Sequence, residues 1–413
     1  MNKVLILGVT ILTLAGLLLG GYACAPTAQP APTPTPATAK TLNFGIATPL
    51  TGGAAHIGEA LKNGALMAVE DQNAQGGVTI GGQNYTLEAI IRDSKFDVVV
   101  GKSVGEELIF DKKVIAITGS FIGDAFGLQS VSEPNKVIVF FASATNPAMT
   151  GPNKPYTFFY ASIAQMLNIG AAYIQKFHPE AKTVISMCPA IPDTVRFLEF
   201  TKQFCKYYGL NWLGSEQFPI NTNDFSPMIT RVLEKNPDVI DTAATGGAMG
   251  GLCAQLVKQL RERGYKGYIW IPALPPIGAI AEIVPEQYLD KIVINETDWE
   301  APIVSEAYRD LCRRYVAKYN SAPFDIAGLE YNVVKAFFEF LNTQDSMDTT
   351  KWMEGFAKFH WKNLWGTEGY WFGKPIAGID RETFRSHWAS EYINGKVQTL
   401  WTAPLPMEFF VSQ

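Results

Sequence analysis

The sequence has little of what catalytic and metal centres are usually built from. Its 413 residues include four histidines, His56, His178, His360 and His387, and none stands at ligand-like spacing from another. The five cysteines are far apart, with no CxxC pair and no Cys/His cluster. These absences speak against a zinc site. No G-x-S-x-G turn is present to expose a hydrolase serine. Gly101-Lys102-Ser103 imitates the end of a phosphate-binding loop. That motif needs a glycine five positions earlier, where Phe96 stands, and the segment reads as helix. The turn Thr245-Gly246-Gly247-Ala248-Met249-Gly250-Gly251 follows an expected strand and opens an expected helix, but it lacks dinucleotide glycine spacing. It suits a sharp bend that lets a ligand approach backbone N–H groups. Charge is mixed, with 34 Lys plus Arg against 39 Asp plus Glu and a net charge of −5. Without a basic run, neither nucleic acid nor an anionic lipid surface is an expected partner. Beyond the first twenty residues, no stretch is long and apolar enough to span a bilayer.

What is present begins at the N-terminus. Lys3 supplies one positive charge, residues 4–20 are apolar, small residues follow, and then Cys24. That order is the order of a bacterial lipoprotein signal over 1–24, with Cys24 becoming the acylated N-terminus. Ala23 fits the pattern, and Gly21 stands where Leu is usual. The competing readings are an uncleaved anchor, or a plain secretory leader with Cys24 incidental. Residues 25–40 carry Pro26, Pro30, Pro32, Pro34 and Pro36 among Thr and Ala. Such a tether favours extended polyproline II at ~3 Å per residue.

From residue 41 the chain alternates β-rich runs with amphipathic stretches. Strands are expected at 42–47, 86–92, 114–118, 137–142, 183–187, 212–218, 239–242, 268–271 and 291–295. Helices are expected at 60–73, 98–110, 163–177, 194–208, 225–235, 252–263, 305–319 and 327–341. This alternation implies parallel sheets covered on both faces, and two consecutive βαβαβ sets imply two doubly wound α/β lobes. Near the end, Asn394-Gly395 between 391–393 and 396–401 favours a two-residue hairpin turn. Cys188, Cys205, Cys253 and Cys312 allow three complete disulfide pairings, and sequence does not choose among them.

Ligands of open parallel sheets sit beyond the carboxyl ends of the strands. The loops 48–58, 119–124, 142–145, 187–193, 245–251, 272–278 and 296–299 are therefore the candidates. Ser120 and Thr145 each follow an apolar strand, where a hydroxyl beside exposed N–H groups suits a carboxylate; N-capping is the plainer role for both. His56 either touches a ligand or hydrogen-bonds its own loop. Asp193, Glu296 and Asp298 could do acid–base work, accept hydrogen bonds from a ligand, or be solvated rim charges. Trp299 is a stacking surface or ordinary packing. Gln165 and Met249 complete the candidate contacts. Trp361, Trp365 and Trp371 read as core or interface, not as a cofactor box.

These features together make the chain resemble the periplasmic leucine/isoleucine/valine-binding family, the type I solute-binding proteins of ABC transporters. The resemblance covers essentially all of 41–413. It is carried by Gly45-Ile46-Ala47-Thr48-Pro49-Leu50-Thr51-Gly52, Asn63-Gly64-Ala65, Asn73-Ala74-Gln75-Gly76-Gly77-Val78 and Ser143-Ala144-Thr145-Asn146-Pro147. It implies two Rossmann-like lobes joined by three hinge crossings near Ile163, Asp290 and Gly366. Lobe one would be 41–163 plus 291–366, and lobe two 164–290 plus 367–413. It also implies a monomer without catalysis or cofactor that closes on a small solute and delivers it to permease subunits in the membrane. By resemblance, Ser120 holds a ligand carboxylate, Ser143 and Thr145 take an ammonium, and Ile57 occupies a position where an aromatic often covers the ligand. The chain departs from amino-acid binders at Pro272-Ala273-Leu274-Pro275-Pro276, where an acidic residue would pair with the ammonium. A buried ammonium without a counter-charge is costly. An apolar or aromatic carboxylate, or another small amphipathic solute, fits at least as well. Glu296 or Asp298 could replace the missing acid, which keeps amino acids open. The rival readings are a ligand-sensing receptor module and an exported hydrolase using His56, Asp193 or Asp298.

Overall fold

A computed structural model describes residues 40–142, 147–191, 194–243, 245, 250–272, 277–371, 379–384, 387–403 and 406. Residues from 39 onward form one compact unit. Among the described residues, the first sheet has six strands: β1 (Lys40–Thr48), β2 (Val78–Ile80), β3 (Gln83–Asp93), β4 (Ala116–Ser120), β5 (Ile138–Phe141) and β6 (Thr157–Phe159). Their order is β2-β3-β1-β4-β5-β6, with all neighbours parallel except β2 and β3. Phe44, Ile46, Ile117, Ile138, Val139 and Phe140 are fully buried, as strands covered on both faces require. Helices α1 (Ala55–Ala74), α2 (Val98–Glu106) and α3 (Ile122–Ser132) connect them.

The second sheet has seven strands in the order β16-β15-β11-β10-β9-β7-β8. Five are parallel: β7 (Thr183–Pro189), β8 (Asn211–Phe218), β9 (Val239–Asp241), β10 (Tyr268–Ile271) and β11 (Ile292–Ile294). The hairpin β15 (His387–Ile393) and β16 (Lys396–Ala403) adds an antiparallel edge. Its turn has Asn394 at φ 52° and Gly395 at φ 75°, the positive angles that this dipeptide accepts. Helices α4 (Ile163–Phe177), α5 (Thr194–Tyr207), α6 (Ser226–Leu233), α7 (Gly250–Glu262) and α8 (Ile277–Ile283) belong to this half of the chain. A Cβ on Gly170 of α4 would fall 1.8 Å from the Trp270 indole nitrogen, so only glycine lets α4 lie directly on β10.

Helices α9 (Glu306–Tyr319), α10 (Asp325–Leu341) and α11 (Thr349–Phe356) return to the first half. Arg314 of α9 and Tyr331 of α10 both bond Asp71 of α1, at 2.9 and 2.6 Å. A small sheet of β12 (Trp361–Lys362), β13 (Glu368–Trp371) and β14 (Thr383–Phe384) follows.

The chain passes between the two halves at 160–162, at 295–304 and after β14. Two expected positions need correction. The crossing placed near Asp290 follows β11 instead, because Ile292–Ile294 pairs with β10 and β15 and so belongs to the second sheet, not to the segment 291–366 of lobe one. The crossing placed near Gly366 lies beyond Phe384. Residues 379–384 sit on the edge of the first sheet, where Glu382 bridges Phe159 and the Arg381 guanidinium donates to the Thr157 carbonyl at 2.8 Å. Elements not expected from sequence are β2, β6, α3, α8, α11 and the small sheet. Cys188, Cys205, Cys253 and Cys312 are free, buried thiols. Among the described residues, no helix is long and apolar enough to cross a membrane.

Candidate functional site

The crossings leave β6 and β11 at their carboxyl ends, so the carboxyl ends of both sheets are the ends nearest the crossings. In the first lobe, Asp93 at the end of β3 ties down the loop after β1. Its carboxylate accepts from the Leu50 amide at 2.8 Å, the Thr51 hydroxyl at 2.7 Å and the Lys95 amide at 2.9 Å. Burial works to raise its pKa, but these bonds outweigh burial and hold it below the usual carboxylate range. His56 is exposed in the first turn of α1, while the next residue, Ile57, is buried in the core.

Ser120 closes β4 and is fully buried. Its hydroxyl and that of Ser94 come close enough to the Asp124 carboxyl to pull its pKa down, yet neither hydroxyl completes a hydrogen bond, nor does Asp124 Oδ2. Asp124 Oδ1 accepts from the Phe121 amide at 3.1 Å and so caps α3. Burial is the largest influence on Asp124 and pushes it up to about 6. Sequence reasoning missed Ser94 and Asp124. Reading 122–132 as a helix would have placed Asp124 in its first turn.

Next to this cluster the backbone is strained. Lys95 and Phe96 are both left-handed, at φ 54° and 57°. Each such non-glycine residue costs about 1–2 kcal/mol. The turn is retained by the Asp93 bonds, by the Ser94 amide bonding the Thr48 carbonyl at 3.0 Å, and by Asp97, which caps α2 at 2.8 Å from the Val99 amide. It sets the Phe96 ring 6.0 Å from that of Phe121, in a stacked pair at 29°. A Cβ on Gly123 would lie 2.6 Å from the Phe96 carbonyl oxygen and 2.7 Å from its ring, and one on Gly127 would lie 1.9 Å from the Val98 carbonyl oxygen. These two glycines let α2 and the turn settle onto α3.

At the crossings the polar side chains hold the frame together. Gln165 is buried, and its amide donates to the Thr383 carbonyl at 2.7 Å, joining the first crossing to the third. Glu296 accepts from the Asp325 amide at 2.9 Å, and Thr297 donates to the Asp325 carboxylate at 2.6 Å. Glu296 is thus engaged at the start of α10. The Asp298 amide donates to the Thr399 hydroxyl at 2.8 Å, which places Asp298 beside the edge strand β16. Trp299 is half-buried against the core. Deeper in the first lobe, Glu330 bonds the hydroxyls of Thr118 and Tyr160. Burial pushes Glu330 up to about 8 against the pull of those bonds. Glu382, beside Ser162, is likewise pushed up to about 8 by burial. In the second lobe, Arg196 in the first turn of α5 pairs with Glu199 at 3.1 Å and lies 4.5 Å over the Phe200 ring; sequence reasoning passed it over. Ser143, Thr145, Asp193, Met249 and Cys24 lie outside the described residues. Trp361 and Trp371 contact each other at 5.5 Å, and Trp365 contacts Trp388 at 6.1 Å, all of them buried. An open groove of about 500 Å³ lined by Asp238, Tyr265, Tyr268 and Lys291 lies at the amino ends of the second sheet's strands, away from the crossings.

Comparison with known proteins agrees with this architecture. The family model described as periplasmic binding protein matches residues 41–376. Leu/Ile/Val-binding protein homolog 2 of Brucella abortus is 24% identical over 223 residues, covering 54% of this chain and 58% of that protein. The chain thus spans under two thirds of that relative's length. LivJ of Streptococcus pneumoniae, a branched-chain amino acid transporter substrate-binding protein solved with isoleucine, superposes with a TM-score of 0.72 at 20% identity, covering 88% of this chain and 99% of that one. An ABC-transporter solute-binding protein of R. palustris, solved with benzoate, gives 0.70 at 14% identity, covering 88% and 96%. With four fifths of its length matched by the family model and two doubly wound lobes of the type I form, the chain belongs to the periplasmic binding protein family.

Proposed function

We propose that the protein is an extracytoplasmic solute-binding lipoprotein of an ABC importer. It captures a small amphipathic solute, an amino acid-like molecule or an apolar or aromatic carboxylate, between its lobes and delivers it to membrane permease subunits. The observation that carries this reading is the position of the crossings. They adjoin the carboxyl ends of both parallel sheets, so the loops that bind ligands in such sheets border one seam that can open and close. The buried hydroxyls and helix start at Ser120 and Asp124 supply polar groups there, and Phe96 and Phe121 supply apolar surface. The relatives bound to isoleucine and to benzoate mark the two ligand classes. Acylation of Cys24 would keep the binder near its permease on the Pro-rich segment. Serving as a binder rather than an enzyme, the protein needs no cofactor and acts as a monomer.

A thermal-shift screen of the purified protein against amino acids and small carboxylates tests the reading. A ligand present at 100 times its Kd adds about 2.7 kcal/mol to the stability of the native state. At least one compound of these classes should raise the midpoint saturably; a panel without effect counts against solute capture. Loss of labelled fatty acid from Cys24→Ala tests the anchor separately.

A further inference from the structure

We propose that the Phe96–Phe121 ring pair is the specificity element of the first lobe, and that it selects a carboxylate whose apolar body is a flat aromatic ring. The inference rests on the solute-binding reading and narrows its ligand class. The two rings stand at the carboxyl ends of β3 and β4, half-buried and stacked at 6.0 Å and 29°. Phe121 packs against the apolar cluster that runs through Ile57 and Tyr160 and continues past the crossings to Trp270 and Val293 of the second lobe. Phe96 and Phe121 both follow carboxyl ends of strands in the first sheet, the ends at which the first crossing leaves β6.

The chain accepts strain to hold this arrangement. Phe96 reaches its partner only because Lys95 and Phe96 adopt φ 54° and 57°, and only because Gly123 leaves room for the Phe96 carbonyl and ring. Strain that the surroundings over-determine clusters where function uses the fixed geometry. Near each ring in the chain lies a hydroxyl that approaches the Asp124 carboxyl and lowers its pKa without closing a hydrogen bond. The hydroxyls of Ser94 and Ser120 and Oδ2 of Asp124 are fully buried and complete no hydrogen bond. Such hydroxyls can donate to a ligand oxygen, and the carboxyl can accept from a ring hydroxyl. A flat ring gains offset-stacked contact with a fixed aromatic pair that a flexible aliphatic chain does not, and a pair already ordered costs no further ordering on binding.

Calorimetric titration of the purified protein with benzoate, hexanoate and leucine tests the inference. Benzoate should bind most tightly. Phe121→Leu and Phe96→Leu should each weaken benzoate by about three- to tenfold while hexanoate stays within about twofold, and Phe121→Tyr, which keeps a ring, should retain benzoate affinity. Melting curves of each variant report folding; if a leucine variant melts early, the wild-type preference and Phe121→Tyr decide. A wild-type preference for hexanoate or leucine, or leucine variants that weaken all ligands alike or none, overturns the inference and leaves the solute-binding reading standing. A wild-type protein that binds none of the three, nor any other small carboxylate or amino acid, overturns both.

Discussion

Replacing Glu330 by Gln should flatten the dependence of stability on pH. Glu330 is fully buried on α10, and among the described residues no cation bonds it; its partners are the hydroxyls of Thr118 and Tyr160. Burial raises its pKa from the ordinary 4.5 to about 8. A carboxyl whose folded pKa lies above its unfolded value binds more protons when folded. Its contribution is complete below pH 4.5 and is lost as pH rises toward 8. Between pH 5 and pH 7 that loss amounts to about 2 kcal/mol for this one group. Glu382, also pushed up to about 8, Asp241, pushed up to about 7, and Asp124, pushed up to about 6, all by burial, act in the same sense, so the wild-type slope contains their shares as well. Urea unfolding of wild type and Glu330→Gln at pH 5, 6, 7 and 8 isolates the Glu330 share. The wild type should lose about 2 kcal/mol more than the variant from pH 5 to 7. Parallel curves, or a wild type that gains on the variant as pH rises, would refute the assignment of a neutral, buried Glu330.

Three further outcomes follow from the structure. Gly170→Ala forces a methyl into the Trp270 indole at 1.8 Å, so it should destabilise by about 2 kcal/mol or more despite alanine's better helix propensity, as read by denaturant midpoint. Asp93→Ala removes two hydrogen bonds from the loop after β1 and one from the left-handed turn after β3; the melting temperature should fall, and affinity for the compound found in the thermal-shift screen should fall with it. The four body thiols are buried, with burial raising each pKa, so they should react with a thiol reagent only on unfolding, and a reductant should leave the native melting temperature unchanged.

The sequence was most legible where hydrophobic period and turn chemistry act locally. Helix α4 and strand β10 have the expected bounds, because an apolar helix face and a β-branched run each bury cleanly. The hairpin follows from Asn394-Gly395. Helix α3 was hidden because it buries Asp124, Gln129 and Ser132 alongside its apolar residues and contains two glycines, which blurs any period. The crossings were misplaced because pairing partners, not local propensity, assign Ile292–Ile294 and Thr383–Phe384 to their sheets. At the candidate site, strand ends point to the loop 119–124 that holds Ser120 and Asp124, but nothing in the sequence pattern points to Ser94 after β3. Nothing in Lys95-Phe96 announces a left-handed turn, since neither residue favours one. Glu296 looked available for a ligand until tertiary contact engaged it at the start of α10.

In the proposed function, solute capture proceeds by closure of the two lobes. Small-angle X-ray scattering of the purified protein, titrated with the compound that most raises its melting temperature, tests it most directly. The radius of gyration should fall saturably, with the same midpoint as binding. A compound that binds and stabilises while leaving the radius of gyration unchanged would contradict closure around the ligand.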